Sequence, residues 1–194
     1  MERWNDYRDH LSAALAGLEV TDRTASPLSA DDGFAQWVHL TRKVHDAGRC
    51  VYFVGNGGSA MIASHMAVDA TKNGGFRGLA LNDAAFLTAI SNDISFDEVF
   101  ALPLARLGQA GDLLITISSS GNSTNVVRAL ETARKMDMHL VTLSGKGADN
   151  RSRTLGDLNF YVPADRFGWV ECAHQLVIHC WFDQYLNVYG NGAI

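Results

Sequence analysis

The 194-residue chain has few cysteines, few prolines and no excess of positive charge. Its three cysteines, an odd number in apolar surroundings, indicate reduced thiols and a cytoplasmic protein rather than a disulfide-stabilised secreted one. The chain has 16 Lys and Arg against 21 Asp and Glu, a net charge of −5, and no basic runs. Nucleic acid is therefore not expected as a ligand.

Long apolar runs are also missing. No stretch reaches the roughly 18 apolar residues that a membrane span requires, so no membrane partner is expected. The charged N-terminus is unlike a signal peptide. With 47% apolar and 19% charged residues, the composition is that of a globular protein and excludes a mainly disordered chain. The length fits one domain, residues 1–194.

The hydrophobic pattern changes near Cys50. Before it, two amphipathic segments predict helices at 4–19 and 32–47, separated by a polar loop. After it, short apolar runs predict strands at 50–54, 77–81, 112–117, 139–143 and 158–162. Helical segments alternate with these strands. The first helix follows the strand at 50–54 and ends near residue 72, and the others lie at 84–91, 96–108, 123–136 and 168–188. This order predicts an α/β fold, a doubly wound parallel sheet of about five strands.

The first candidate ligand loop follows the strand at 50–54 and reads Gly55-Asn56-Gly57-Gly58-Ser59. Glycines let the backbone approach a ligand, and the N-terminus of the next helix offers free N–H groups to a phosphate. The loop lacks the Walker ending and the GxGxxG spacing, so no nucleotide cofactor is expected. A plain strand–helix turn is the alternative interpretation.

The second loop, residues 118–124 (SSSGNST), follows the strand at 112–117 and has five hydroxyl groups in seven residues. Hydroxyls and backbone amides at the start of a helix form a neutral phosphate site. Taken alone, a Ser-rich turn is more often an ordinary helix cap. Two such loops at strand ends of one sheet favour a phosphate ligand.

Histidines and carboxylates recur at helical spacing in two segments. His65 and Asp69 stand four residues apart and share a helix face. Glu171, Gln175 and His179 repeat at four-residue spacing, with the first and last on roughly one side of the last helix. Two histidines and two carboxylates suit a divalent transition metal. A structural role for each histidine is the alternative.

These features together resemble the SIS (sugar isomerase) domain family, and most of all the phosphoheptose isomerases within it. The resemblance rests on GNGGS and SSSGNS after two strands, on the Asn92-Asp93 stretch between them and on the closing helix. It implies an SIS fold with a sugar-phosphate site. The implied phosphate-binding residues are Asn56, Gly57, Gly58, Ser59, Ser118, Ser119, Ser120 and Ser123. It also implies that Asn92 and Asp93 reach the substrate; a turn between helices is their alternative role.

The resemblance further implies one divalent metal per site, expected to be zinc. Its ligands fall on His65, Asp69, Glu171 and His179, where the family has Glu at the second position and Gln at the third. By position Asp69 is the general base and His179 the acid of an aldose–ketose isomerisation through an enediolate. Glu171 is a second candidate for the base, and both assignments stay open.

The sequence departs from the family near the sugar end of the implied pocket. Asn73 stands where the family has Arg, and Gly168 and Trp169 stand where it has an Asp-Arg pair. The resemblance implies a ketose phosphate, such as sedoheptulose 7-phosphate, as the default substrate, and these departures fall where the family recognises the sugar.

Two functions follow from these observations. The favoured one is a metal-dependent isomerase of a small-molecule sugar phosphate; the other is a non-catalytic scaffold like the replication-initiator-associating SIS protein. A scaffold has no use for four metal-competent residues together. Residues 1–48 are rich in large apolar side chains, including Trp4, Tyr7, Phe34 and Trp37, which indicates packing and oligomerisation. The family implies a homotetramer with active sites between subunits.

Overall fold

The structure, a computed structural model, describes residues 3–190. Its helices are α1 (Trp4–Ala16), α2 (Ala30–Asp46), α3 (Gly58–Lys72), α4 (Ala84–Asp93), α5 (Ala101–Leu107), α6 (Thr124–Lys135) and α7 (Phe167–Tyr189). Its strands are β1 (Glu19–Asp22), β2 (Pro27–Leu28), β3 (Cys50–Gly55), β4 (Arg77–Ala80), β5 (Leu113–Ser118), β6 (His139–Gly145) and β7 (Leu158–Val162). Single 3₁₀ turns lie at Phe96–Glu98 and Ser152–Thr154.

The strands form one sheet in the order β2-β1-β7-β6-β5-β3-β4. The five strands from β7 to β4 are parallel, which confirms the predicted doubly wound α/β sheet. The sheet has seven strands rather than five, because β1 and β2 add an antiparallel hairpin at the β7 edge. These strands of four and two residues are too short to show a periodic pattern, and the sequence predicted a helix end and a loop there.

The central strands are buried along their whole length because helices cover both faces of the sheet. Every residue of β3 and β5 is buried, which explains their nearly unbroken apolar sequences. On one face α2, α3 and α7 pack around a core that contains Phe53 and Ile115. On the other face α4, α5 and α6 pack around Tyr52 and Leu114. The predicted helix at 96–108 divides into a 3₁₀ turn and the shorter α5.

The aromatic residues of the N-terminal segment have two different environments. Trp37 is fully buried and stacks on Trp181 of α7, with ring centroids 4.5 Å apart. The Trp181 indole N–H donates to Thr41 Oγ1 at 3.2 Å. Phe34 is also buried in this core, whereas Trp4 is 76% exposed. Much of the apolar surface of residues 1–48 is thus used within the chain itself.

Two further observations bear on the sequence expectations. Within residues 3–190, no helix is both long and apolar enough to cross a membrane. All three cysteines are free thiols. Cys50 is buried as expected, but Cys172 is exposed on α7, so the predicted apolar surroundings do not hold for it.

Replacing Trp37 by Ala should lower the free energy of unfolding by about 3–5 kcal/mol, because it removes a buried ring that α2 and α7 share. Trp4→Ala is the matched control and should change that free energy by less than about 0.5 kcal/mol, since the ring is largely in solvent. Chemical denaturation followed by circular dichroism measures both. Equal losses for the two variants would contradict this description of the core.

Candidate active site

The site is organised by the pairing of β3 with β5. Their parallel register places Gly55 opposite Ile117, so the loops that follow the two strands leave the sheet at the same edge. From β3 the chain crosses to β4 on one side, and the later strands continue on the other. The gap between β3 and β5 is therefore the switch point at which sheets of this class bind ligands.

The first loop turns sharply into α3. Gly57, the residue before α3, has φ of 55°, which a residue with a side chain rarely adopts. A Cβ on Gly58 would lie 2.7 Å from Glu171 Oε2, so the Glu171 carboxylate packs directly on the first turn of α3. Ser59 is buried beneath the loop. The backbone conformation of Gly57 therefore favours glycine, whereas a side chain at Gly58 would displace the end of the flexible Glu171 side chain.

The side chain of Asn56 is engaged within the protein. Its Nδ2 donates to Asn125 Oδ1, and Asn125 Nδ2 donates to Asn56 Oδ1, both at 2.9 Å. Asn125 lies in the first turn of α6, directly after the second loop. The predicted phosphate-binding role of Asn56 stays a prediction; the pair uses one of the two N–H groups of its amide. The sequence analysis did not single out Asn125, which resembles an ordinary helix-start asparagine.

The second loop presents its hydroxyls at the start of α6. Ser118 is buried and accepts the Gly121 N–H at its carbonyl oxygen, 3.0 Å away, and at Oγ, 3.2 Å away. Ser120 Oγ accepts the Asn122 N–H at 3.2 Å. Ser119, Ser120 and Ser123 are half-buried. Ser123 is the residue before α6, yet its hydroxyl makes no capping hydrogen bond. That hydroxyl is placed where an anion at the helix N-terminus would meet it.

A buried asparagine supports this loop from beneath. Gly121 has φ of 62°, and a Cβ there would lie 2.0 Å from Asn150 Oδ1. Asn150 is fully buried and its Nδ2 donates to Ser144 Oγ at 3.2 Å and to the Gly147 carbonyl at 2.8 Å. It ties the turn after β6 to the loop after β5. No sequence signal marked Asn150, because the contact depends on tertiary structure.

Three of the four predicted metal ligands come together. The ligand atoms of His65, Asp69 and His179 all lie within 4.8 Å of one another. His65 Nε2 lies 3.3 Å from Asp69 Oδ2, and the rings of His65 and His179 have centroids 5.3 Å apart. Asn73 Nδ2 donates to Asp69 Oδ1 at 3.3 Å. Two imidazoles and one carboxylate are a donor set of catalytic zinc sites, and it leaves a position for substrate.

The fourth predicted ligand, Glu171, does not join this cluster in the structure. Its carboxylate lies at Gly58, whereas His65 is two turns further along α3, roughly 10 Å at 1.5 Å per residue. The N-terminus of α3 carries partial positive charge, which favours a carboxylate there. In the structure Glu171 is thus a neighbour of the first loop.

The structure also shows the surroundings of the other residues that the sequence singled out. Asn92 and Asp93 end α4, are exposed and bond to each other, Asn92 Nδ2 to Asp93 Oδ1 at 2.8 Å. At Gly168 a Cβ would lie 2.5 Å from the Tyr7 hydroxyl, so a tyrosine of α1 occupies the space next to this glycine. The neighbouring Trp169 is buried, and its ring lies 5.9 Å from that of Tyr7.

His174, one turn beyond Glu171, is fully buried. Its Nε2 lies 3.0 Å from the Ser144 carbonyl and donates to it, while Nδ1 has no hydrogen-bond partner. Burial lowers the pKa of His174 to about 4. This histidine is neutral near pH 7 and holds α7 against the end of β6.

Comparison with known proteins identifies the family. The model of the SIS domain family matches residues 20–145. The chain belongs to this family, and within it to the phosphoheptose isomerases. The phosphoheptose isomerase of Dechloromonas aromatica is 35% identical over 179 residues, which cover 88% of each chain.

Solved structures agree with this membership. A phosphoheptose isomerase from Neisseria gonorrhoeae has a TM-score of 0.75 at 35% identity, covering 80% of this chain and 86% of that one. One from Francisella tularensis has a TM-score of 0.80 at 26% identity, covering 93% and 95%. The SIS fold expected from the two loops is confirmed.

The buried His174 should make stability depend on pH. Below about pH 6.5 the unfolded chain protonates this imidazole, whereas the folded chain resists protonation down to about pH 4, so folding weakens as pH falls through that window. Between pH 7 and 4.5 the wild-type protein should lose about 2.5 kcal/mol more unfolding free energy than His174→Gln. Denaturant titrations at both pH values measure this. Parallel losses in the two proteins would show that His174 is not buried in its neutral form.

Proposed function

We propose that this protein is a metal-dependent aldose–ketose isomerase that converts a ketose phosphate, such as sedoheptulose 7-phosphate, to an aldoheptose phosphate. Family membership makes it a phosphosugar isomerase; the metal, the substrate and the residue roles are the proposal. One observation carries it: the cluster of His65, Asp69 and His179, on helices that also border the two loops. Such a cluster is unnecessary in a non-catalytic scaffold.

The phosphate end of the substrate belongs to the second loop. Ser119, Ser120 and Ser123 offer half-buried hydroxyls, and the first turn of α6 offers N–H groups. Hydrogen bonds to a phosphate are charge-assisted and are about twice as strong as neutral ones. A loop of hydroxyls therefore holds a phosphate without a cationic side chain.

The residues of the cluster fit a divalent metal, and zinc suits their chemistry best. His65, Asp69 and His179 would hold it, with Glu171 as a fourth ligand once its side chain turns away from Gly58. When bound, such a metal polarises the substrate carbonyl and stabilises negative charge on its oxygen. Glu171 stands where the family has Gln, so it adds a negative charge near the metal position.

Asp69 is the proposed base that takes the C1 proton of the ketose and returns it to C2. Its side chain is only 17% exposed, against 52% for His65, so it is largely shielded from bulk water. The hydrogen bond from Asn73 fixes one carboxylate oxygen. His179 is the proposed acid that protonates O2 as the enediol forms and then takes the O1 proton as the aldehyde forms. General acid–base catalysis of this kind contributes about 10²–10⁴ to the rate.

A second copy of the chain is part of the proposal. Exposed apolar side chains, among them Met61, Val68 and Leu176, lie on α3 and α7, the helices of the histidine cluster. A homotetramer that covers this face would exclude water from the site. The proposed setting is the cytoplasm, with a small sugar phosphate as the partner.

The two candidate bases can be separated by amide substitutions. If Asp69 is the base, Asp69→Asn should lower kcat by about 10²–10⁴. Glu171→Gln should then be mild, because an amide oxygen can still serve as a ligand. The measurement is aldose formation from sedoheptulose 7-phosphate with zinc-loaded protein.

Elemental analysis of each variant is the control, since loss of metal would imitate loss of the base. If Glu171 is the base, Glu171→Gln should show the large loss in kcat and Asp69→Asn the mild one. Wild-type rates in both zinc-loaded variants would remove both carboxylates from proton transfer and favour the scaffold function.

The phosphate loop is tested by removing two hydroxyls. Ser120→Ala combined with Ser123→Ala should raise KM for the ketose phosphate at least about 100-fold, since two hydrogen bonds to a charged group are lost at about 1.5–3 kcal/mol each. Ser12→Ala, which removes an exposed hydroxyl of α1 outside both loops, is the control and should leave KM unchanged. An unaltered KM in the double variant would show that the phosphate binds elsewhere.

A further inference from the structure

We propose that Asn125 is a positioning residue which, through Asn56, fixes the distance between the phosphate-binding end and the proton-transfer end of the site. This inference rests on the proposed function and assigns a role to a residue that contacts neither the metal cluster nor the reacting carbons. The two amides form a reciprocal pair, each donating to the other at 2.9 Å.

The pair is built into the fold rather than formed by chance on the surface. Asn125 is 2% exposed, and its Oδ1 also accepts the Val126 N–H at 2.9 Å. A buried amide that loses a partner pays a desolvation cost of about 1–3 kcal/mol, so the bonded arrangement is strongly preferred. The Asn56 amide is thereby held in one orientation.

The position of the pair in the chain gives it its role. The parallel ladder of β3 and β5 ends at Gly55 and Ile117, and beyond these residues the backbones separate into two loops. The Asn56–Asn125 pair connects the loops just past that point. It joins the start of α3 to the start of α6. Helix α3 carries Asp69 further along, and the serine hydroxyls proposed to bind phosphate lie at the start of α6.

A sugar phosphate is held at one end by its phosphate and reacts at the other. The proton-transfer group must therefore lie at a set distance from the phosphate site, and a misplacement of about 1 Å can cost 10²-fold in rate. Loosening the pair should leave each end intact but change their separation. The expected signature is a loss in kcat without a loss of phosphate affinity.

The test compares Asn125→Ala, Asn56→Ala and the double variant, all zinc-loaded. Each single change should lower kcat about 10- to 100-fold. Inhibition by inorganic phosphate, which measures phosphate affinity without turnover, should stay within about threefold in Asn125→Ala. The double variant should be no worse than the single ones, because either change already breaks the pair.

Hydrogen exchange gives a readout that does not need activity. Asn125→Ala should speed the exchange of backbone amides at residues 56–60 while the unfolding transition remains cooperative. If the wild-type protein isomerises no ketose phosphate, the proposed function fails, and the exchange result alone decides whether the pair holds the loop. Unchanged exchange, additive losses in the double variant, or a parallel loss of phosphate affinity would overturn the positioning role.

Discussion

The parallel pairing of β3 with β5 is the constraint on which the rest of the site depends. It ends both strands at the same edge of the sheet, with Gly55 opposite Ile117. Both helices that follow therefore begin side by side, and α7 packs on the same sheet face as α3. The register of β3 with β5 places the glycine-rich turn and the hydroxyl-rich turn at one edge of the sheet. The histidine cluster lies on α3, which follows the first of these turns, and on α7. Without this pairing, the polar groups of these segments would not lie at one edge of the sheet.

Much of the fold could be predicted from the sequence because its signals are local. The buried strands are unbroken apolar runs, and the loops after β3 and β5 show their glycines and hydroxyls directly. The β1–β2 hairpin could not be predicted, because its strands are held by pairing with β7 rather than by their own pattern. The histidine cluster was predictable in part, since the spacing of His65 and Asp69 is a property of one helix.

The rest of the site depends on contacts between distant segments. Asn125 and Asn150 look like ordinary polar residues in the sequence, and only the tertiary structure brings them to Asn56 and Gly121. Glu171 is a similar case: helical periodicity aligned it with His179, but its carboxylate packs on Gly58 instead. Helical spacing predicts which residues share a face, but it does not predict how far along a neighbouring helix each side chain lies.

Isomerisation in deuterium oxide tests the central claim most directly, because proton transfer through an enediolate can carry a solvent label into the product. The zinc-loaded protein is incubated with sedoheptulose 7-phosphate, and the aldoheptose phosphate is examined by NMR for deuterium at C2. The account predicts that C2 carries solvent deuterium only to the extent that the Asp69 proton exchanges during the lifetime of the enediolate, and that Asp69→Asn forms this product about 10²–10⁴ times more slowly. No aldose from zinc-loaded wild-type protein, or an undiminished rate in zinc-loaded Asp69→Asn, would contradict it.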